Sequence, residues 1–124
     1  WEAFMFAHHY KLDNLCVIID NNGLQIDGAV DKVMSPYPIP DKLKAFGFAV
    51  KEIDGHDFDQ IEAAFAEAKA TKGVPFAIVM KTTKGKGVSY MENQAGWHGK
   101  APNDEEYKIA MDELTAQLAE VEAM

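Results

Sequence analysis

Cysteine is almost absent from this chain: Cys16 is the only one in 124 residues. No disulfide framework and no cysteine-based zinc site can form within it. No run of 18 or more apolar residues occurs, so no membrane span is expected, and no signal peptide is visible. Basic residues are scarce, with 12 Lys and Arg against 20 Asp and Glu and a net charge of −8. That balance argues against a nucleic-acid phosphate backbone as partner. A phosphorylated small molecule stays open, because a few placed Lys and His residues suffice to hold one. Two catalytic signatures are missing too. There is no His pair at zinc-protease spacing and no Ser-centred nucleophile elbow, so a nucleophilic hydrolase is unsupported. A cytoplasmic protein without nucleic acid or membrane as partner fits these absences.

What remains is ample for a core, with 48% hydrophobic residues and 10% aromatics, and residues 1–124 read as a single domain. The apolar run Leu15–Ile19 stops at Asp20, and Asn21, Asn22 and Gly23 follow. Five apolar residues bounded by polar ones predict a strand buried on both faces, with Cys16 inside the core. Asp20, Asn21 and Asn22 then fall at the strand's carboxyl end, where open parallel sheets gather ligands. Their oxygens suit a hard cation such as magnesium. The same four residues are also ordinary turn chemistry.

The rest of the chain alternates. Residues 1–10 read as a helix with Phe4, Ala7 and His8 on one face. It has no N-cap, so the chain is expected to begin mid-domain. A short helix is expected over 29–34, and the Pro-rich segment 35–40 as an extended loop. Asp41 is expected to cap a helix through Phe46, stopped by Gly47. A strand over 48–53 follows. Asp57 and Gln60 form a capping-box pattern before a helix to Ala70, with Phe58, Ile61, Phe65 and Ala68 as its stripe. Residues 75–80 make a second buried strand, and 91–101 a loop. Asp104 is expected to cap a last helix to Ala123, whose stripe Tyr107, Met111, Leu114, Leu118 and Val121 packs on the sheet or docks on a partner. Strands alternating with helices predict an α/β fold: a doubly wound parallel sheet with flanking helices.

A second polar constellation follows the 75–80 strand: Lys81-Thr82-Thr83-Lys84-Gly85-Lys86-Gly87, then Trp97-His98-Gly99-Lys100. Gly85 and Gly87 would let backbone amides approach an anion, and Lys84 would add positive charge. A solvated turn is the alternative. His98 lies in a loop beside Gly99, where it could reach a ligand and move a proton. His56 reads as part of a strand–helix turn, and His8 and His9 as packing or surface residues.

The two constellations, in this order, resemble the thiamine-diphosphate domain of transketolase, with Lys42–Phe48 and Ile53–His56 matching the elements between them. The resemblance covers essentially the whole chain. It implies that the Asn22 side chain and the Leu24 carbonyl bind the metal (Mg2+, or Ca2+ or Mn2+). Ile26 would pack against the ring system of thiamine diphosphate. Lys84 and His98 would contact the diphosphate, and His98 would assist proton transfer at the donor sugar. Glu2 would belong to the acidic cluster between two active sites. The implied reaction is two-carbon ketol transfer from a ketose phosphate to an aldose phosphate.

The family's Gly-Asp-Gly segment, whose Asp binds the metal, is absent from this sequence, as is the pyrimidine-binding domain. The resemblance therefore implies an oligomer. A carboxyl-terminal transketolase subunit or a second copy would complete the site, and the chain alone would be inactive. Two alternatives stand beside this. One is a related enzyme with the same cofactor, deoxyxylulose-phosphate synthase or dihydroxyacetone synthase. The other is a truncated, self-associating α/β module without cofactor.

Overall fold

The computed structural model describes residues 1–124. In chain order the elements are α1 (Glu2–His9), β1 (Cys16–Asn21), β2 (Leu24–Gln25), β3 (Gly28–Ala29), α2 (Val30–Val33), α3 (Ile39–Ala45), β4 (Ala49–Asp54), α4 (Phe58–Ala70), β5 (Phe76–Lys81), a 3-10 turn (Ala95–His98) and α5 (Asp104–Glu122). They group into two compact units. The first is Trp1–Asn22 with Ser35–Thr82, and the second is Gly23–Met34 with Thr83–Met124.

The first unit is built on a parallel sheet in the order β1-β5-β4. The expected doubly wound arrangement is present, because helices cover both faces. On one face Ala77 and Val79 of β5 pack with Ala7 of α1, Leu43 of α3 and Phe48. On the other face Phe76 and Ile78 pack with Ile53 and with Ala64 and Ala68 of α4. Strand alternation sends neighbouring β5 residues to opposite cores, so the central strand must be apolar throughout. Phe76 and Ile78 are 2% and 1% exposed. At about 25 cal/mol per Å2 of buried apolar surface, such a strand contributes several kcal/mol.

The other apolar strand departs from expectation. β1 lies at the sheet edge, and Ile18 is 51% exposed. Val17 and Ile19 face the α1–α3 side, where both helices meet them. Ile18 faces the side covered by the single helix α4, which does not reach over it. Cys16 is only half-buried, and partial burial still pushes its thiol up from the ordinary value.

Several helix ends also differ. α3 begins at Ile39, not after Asp41, because proline is tolerated in a helix's first turn, where its missing N–H has no partner to lose. Gly47 ends α3 at φ +84, and a Cβ there would sit 2.2 Å from the His8 ring, whose Nδ1 pairs with the Gly47 carbonyl at 3.1 Å. α4 begins as expected. Asp57 accepts from the Gln60 amide at 3.1 Å, but Gln60 Oε1 accepts from Asp54 N, one turn further back. Ala64 and Ala68 are buried and the partly buried Ile61 packs beside them, while Phe58 is 85% exposed. Small residues let α4 lie close on the sheet and leave the two phenylalanines outside.

The second unit has the antiparallel pair β2–β3, with Leu24 opposite Ala29 and Gln25 opposite Gly28. Residues 91–101 are not wholly loop, since the 3-10 turn occupies Ala95–His98. α5 is capped by Asn103, not Asp104. Asn103 and Glu106 form a reciprocal capping box with bonds of 2.9 and 2.8 Å. Its stripe is largely exposed: Tyr107, Leu118 and Val121 are each more than half exposed. No helix is long and apolar enough to cross a membrane.

Candidate functional site

The three parallel strands end level. Asn21 pairs with Lys81, and Lys81 pairs with Asp54 on its other side. Every carboxyl-end loop of the sheet therefore starts at one edge, which is the ligand-receiving edge of such sheets. Fixed hydrogen bonds organise it. The Thr82 hydroxyl donates to the Asp20 carboxylate, and the Thr82 amide donates to the Asn21 carbonyl at 3.4 Å. The Tyr37 hydroxyl donates to Asn21 Oδ1 at 3.0 Å. Gly55 N donates to the Lys81 carbonyl at 2.8 Å, and His56 N to the Asp54 carboxylate at 2.9 Å. Asn22, half-buried, follows directly on this pinned strand end. His56 serves the strand–helix turn, as its sequence context suggested.

The other expected site residues belong to the second unit. Leu24 is half-buried in β2, and Ile26 is 67% exposed just beyond it. Lys84 is half-buried, and no carboxylate pairs with its ammonium, whereas Lys86 reaches Glu92 at 3.8 Å. The two glycines of this loop do not both do what the sequence suggested. Gly85, at φ +70, is needed for closure, since a Cβ would meet the Met91 carbonyl oxygen at 2.7 Å. The Gly87 amide is already used, donating to the Glu92 carboxylate at 2.9 Å, and so is not offered to an anion.

His98 is exposed on the 3-10 turn. Its neighbours are fixed. Trp97 Nε1 donates to the Tyr90 carbonyl at 3.0 Å, and Lys100 lies 4.1 Å over the Trp97 ring while bonding Glu106 at 2.8 Å. Lys100 and Asn103 together hold the Glu106 carboxyl below its ordinary value of 4.5. Hydrogen bonds from Ser89 do the same for Glu113. Glu2 stands exposed in the first turn of α1. Its carboxyl is also lowered, first by a backbone hydrogen bond. Tyr37 went unnoticed in the sequence as a site residue, and Thr82 stood only within the Lys81–Gly87 constellation with no role of its own. A tyrosine among prolines reads as loop, and only the threonine's place after β5 hinted at the sheet edge.

No set of three His, Cys, Asp or Glu side chains comes together to hold a metal ion. A neutral oxygen such as the Asn22 carboxamide suits a magnesium ion that arrives with the anionic oxygens of a diphosphate. The donor chemistry of this chain thus fits a metal–diphosphate group better than a bare cation.

Comparison with known proteins decides the family. The model of the transketolase thiamine diphosphate binding domain matches residues 1–120. This chain belongs to that family. It is 42% identical over 122 residues to an apulose-4-phosphate transketolase subunit of Phocaeicola vulgatus, covering 98% of this chain and 43% of that protein. It is 41% identical over 119 residues to a 6-deoxy-6-sulfo-D-fructose transketolase subunit of a Clostridium species, covering 96% of this chain and 43% of that one. A solved transketolase from Campylobacter jejuni superposes with a TM-score of 0.83 at 34% identity, over 90% of this chain and 17% of that chain. This transketolase-family chain thus spans well under half the length of these relatives.

Proposed function

We propose that this chain supplies the diphosphate-holding part of a transketolase active site, acting in two-carbon transfer from a ketose phosphate to an aldose phosphate. The observation that carries this reading is the level carboxyl edge of the sheet, with Asn22 leaving it directly after two hydrogen-bonded residues. Asn22 would give its side-chain oxygen to Mg2+ (Ca2+ or Mn2+ would fit the same donors) and Leu24 its backbone carbonyl. Ile26, exposed and apolar, would cover the cofactor's ring system. Lys84, with no internal counter-ion, would neutralise a diphosphate oxygen. Thiamine diphosphate, when bound, supplies the nucleophilic carbon that accepts the two-carbon unit. His98 would donate to the diphosphate and move a proton at the donor sugar's hydroxyl. Glu2 would contribute at a boundary with a second active site.

Two of these relatives are named as transketolase subunits, which supports a partner for this chain. That partner is a carboxyl-terminal subunit or a second copy bringing the pyrimidine-binding domain, in a cytoplasmic oligomer. On this reading the 124-residue chain alone is inactive. A transfer assay with the chain alone and with added carboxyl-terminal subunit tests it. Activity only in the mixture is expected. Transfer by the chain alone removes the partner requirement, and no transfer in either rejects the activity. The range of acceptors in the same assay separates transketolase from deoxyxylulose-phosphate synthase or dihydroxyacetone synthase.

A further inference from the structure

We propose that Tyr37 and Thr82 are positioning residues that fix the end of β1 and so aim Asn22 at the metal of a bound metal–diphosphate. The inference rests on the reading of Asn22 given above.

Asp20 and Asn21 are consecutive strand residues, so their side chains leave opposite faces of the sheet. One partner holds each. The Thr82 hydroxyl takes Asp20, and the Tyr37 hydroxyl takes Asn21 at 3.0 Å. The Thr82 amide also takes the Asn21 carbonyl at 3.4 Å. The strand end is thereby gripped from both faces one residue before Asn22. Immediately after Asn22, Gly23 turns the chain at φ +75. The side-chain grip adds to the β1–β5 ladder on one side of Asn22, while Gly23 leaves the backbone most free on the other.

Tyr37 is suited to this because its own segment is fixed. Pro36, Pro38 and Pro40 restrict the backbone, and Lys42 Nζ ties the Pro36 carbonyl to α3 at 2.7 Å. The tyrosine is 43% exposed, so its packing is modest and its hydroxyl bond stands out. A ligand held within a fraction of an ångström by such supporting bonds binds its metal more tightly than one left free to wander.

The test is a Mg2+ titration at fixed thiamine diphosphate, followed by calorimetry on the full protein with its partner. Asn22→Ala should raise the Mg2+ half-saturation most. Tyr37→Phe should raise it about five-fold, the effect of one lost neutral hydrogen bond. Asn21→Ala should match it, and the double variant should be no worse than either single one, because both remove the same bond. Thr82→Val should act in the same direction and Thr82→Ser should restore the wild-type value. Should any one of these variants fail to fold, the others read the same grip. A merely structural role would lower the melting temperature and leave the half-saturation unmoved. The proposal is overturned if Asn22→Ala shifts the half-saturation while Tyr37→Phe, Asn21→Ala and Thr82→Val match wild type. If Asn22→Ala itself has no effect, the metal reading falls and this inference falls with it.

Discussion

Of the thirteen buried apolar residues, only Val30, Val88 and Ala110 belong to the loop-and-helix unit; the rest line the two cores of the parallel-sheet unit. The sheet unit is held by burial. The loop-and-helix unit is held largely by polar contacts: Gly87 N to Glu92, Gln117 to the Gly87 carbonyl at 2.8 Å, Ser89 to Glu113, and the Tyr90 hydroxyl to the Glu106 carbonyl at 2.7 Å. Burial is non-directional and tolerant of conditions, while hydrogen bonds to exposed carboxylates depend on geometry and pH. The difference teaches where each part of the proposed site draws its precision. Asn22 depends on a stiff sheet, and Lys84 and His98 on a loop network that acid can loosen.

Core truncation should separate the units most sharply. Ile78→Ala empties space on β5 and should cost about 2–5 kcal/mol in denaturant unfolding. Leu118→Ala on α5, 56% exposed, should cost less than about 0.5 kcal/mol. Equal losses would break the contrast. Next comes Gly85→Ala, which pushes a Cβ into the Met91 backbone at a positive φ and should cost more than about 1 kcal/mol. Gly73→Ala, at φ +76 with nothing within 4 Å, carries the backbone strain alone and should cost less.

Asn103→Ala removes the α5 capping box and should cost about 1 kcal/mol, read as faster amide exchange in the first turn of that helix with β5 unchanged.

Much of the sheet was legible in the sequence because uninterrupted apolar runs have few alternative uses. β5 came out as expected for that reason. β1 carries an equally apolar run, yet Ile18 stands half exposed, since local pattern reports what a strand can bury and not how far its neighbours extend. In the expected α4 stripe Ile61 and Ala68 do pack on the sheet, but Phe58 and Phe65 stand outside and Ala64 takes their place, because large aromatics outweigh alanines in an apolar count whereas small residues permit close packing. The α3 cap lies three residues and the α5 cap one residue before the expected position, as local signals compete there. In the site, Asn22, Lys84 and His98 stood out through family resemblance. Tyr37 could not, because its partner Asn21 is 16 residues away and no local pattern links them.

Acid provides the finest discrimination. Glu106 and Glu113 titrate below 4.5 in the fold, so the folded form binds fewer protons than the unfolded one. Their contribution is complete above about pH 4.5 and is lost as pH falls through the lowered values. Amide shifts of Ser89 and Asn103 should therefore move in an acid titration before those of β5. Asp57 of the sheet unit is likewise lowered by Gln60, so acid should loosen the start of α4 locally while β5 stays unchanged. Simultaneous loss of β5 would contradict the division.

Asn22 and Lys84 are each proposed to contact a metal–diphosphate. The most direct test is a calorimetric titration of the protein with thiamine diphosphate, with and without Mg2+, in wild type, Asn22→Ala and Lys84→Ala. Saturable binding that needs Mg2+ is predicted, weakened by Asn22→Ala through the metal and by Lys84→Ala through the diphosphate charge. Binding of undiminished strength in both variants would contradict the account.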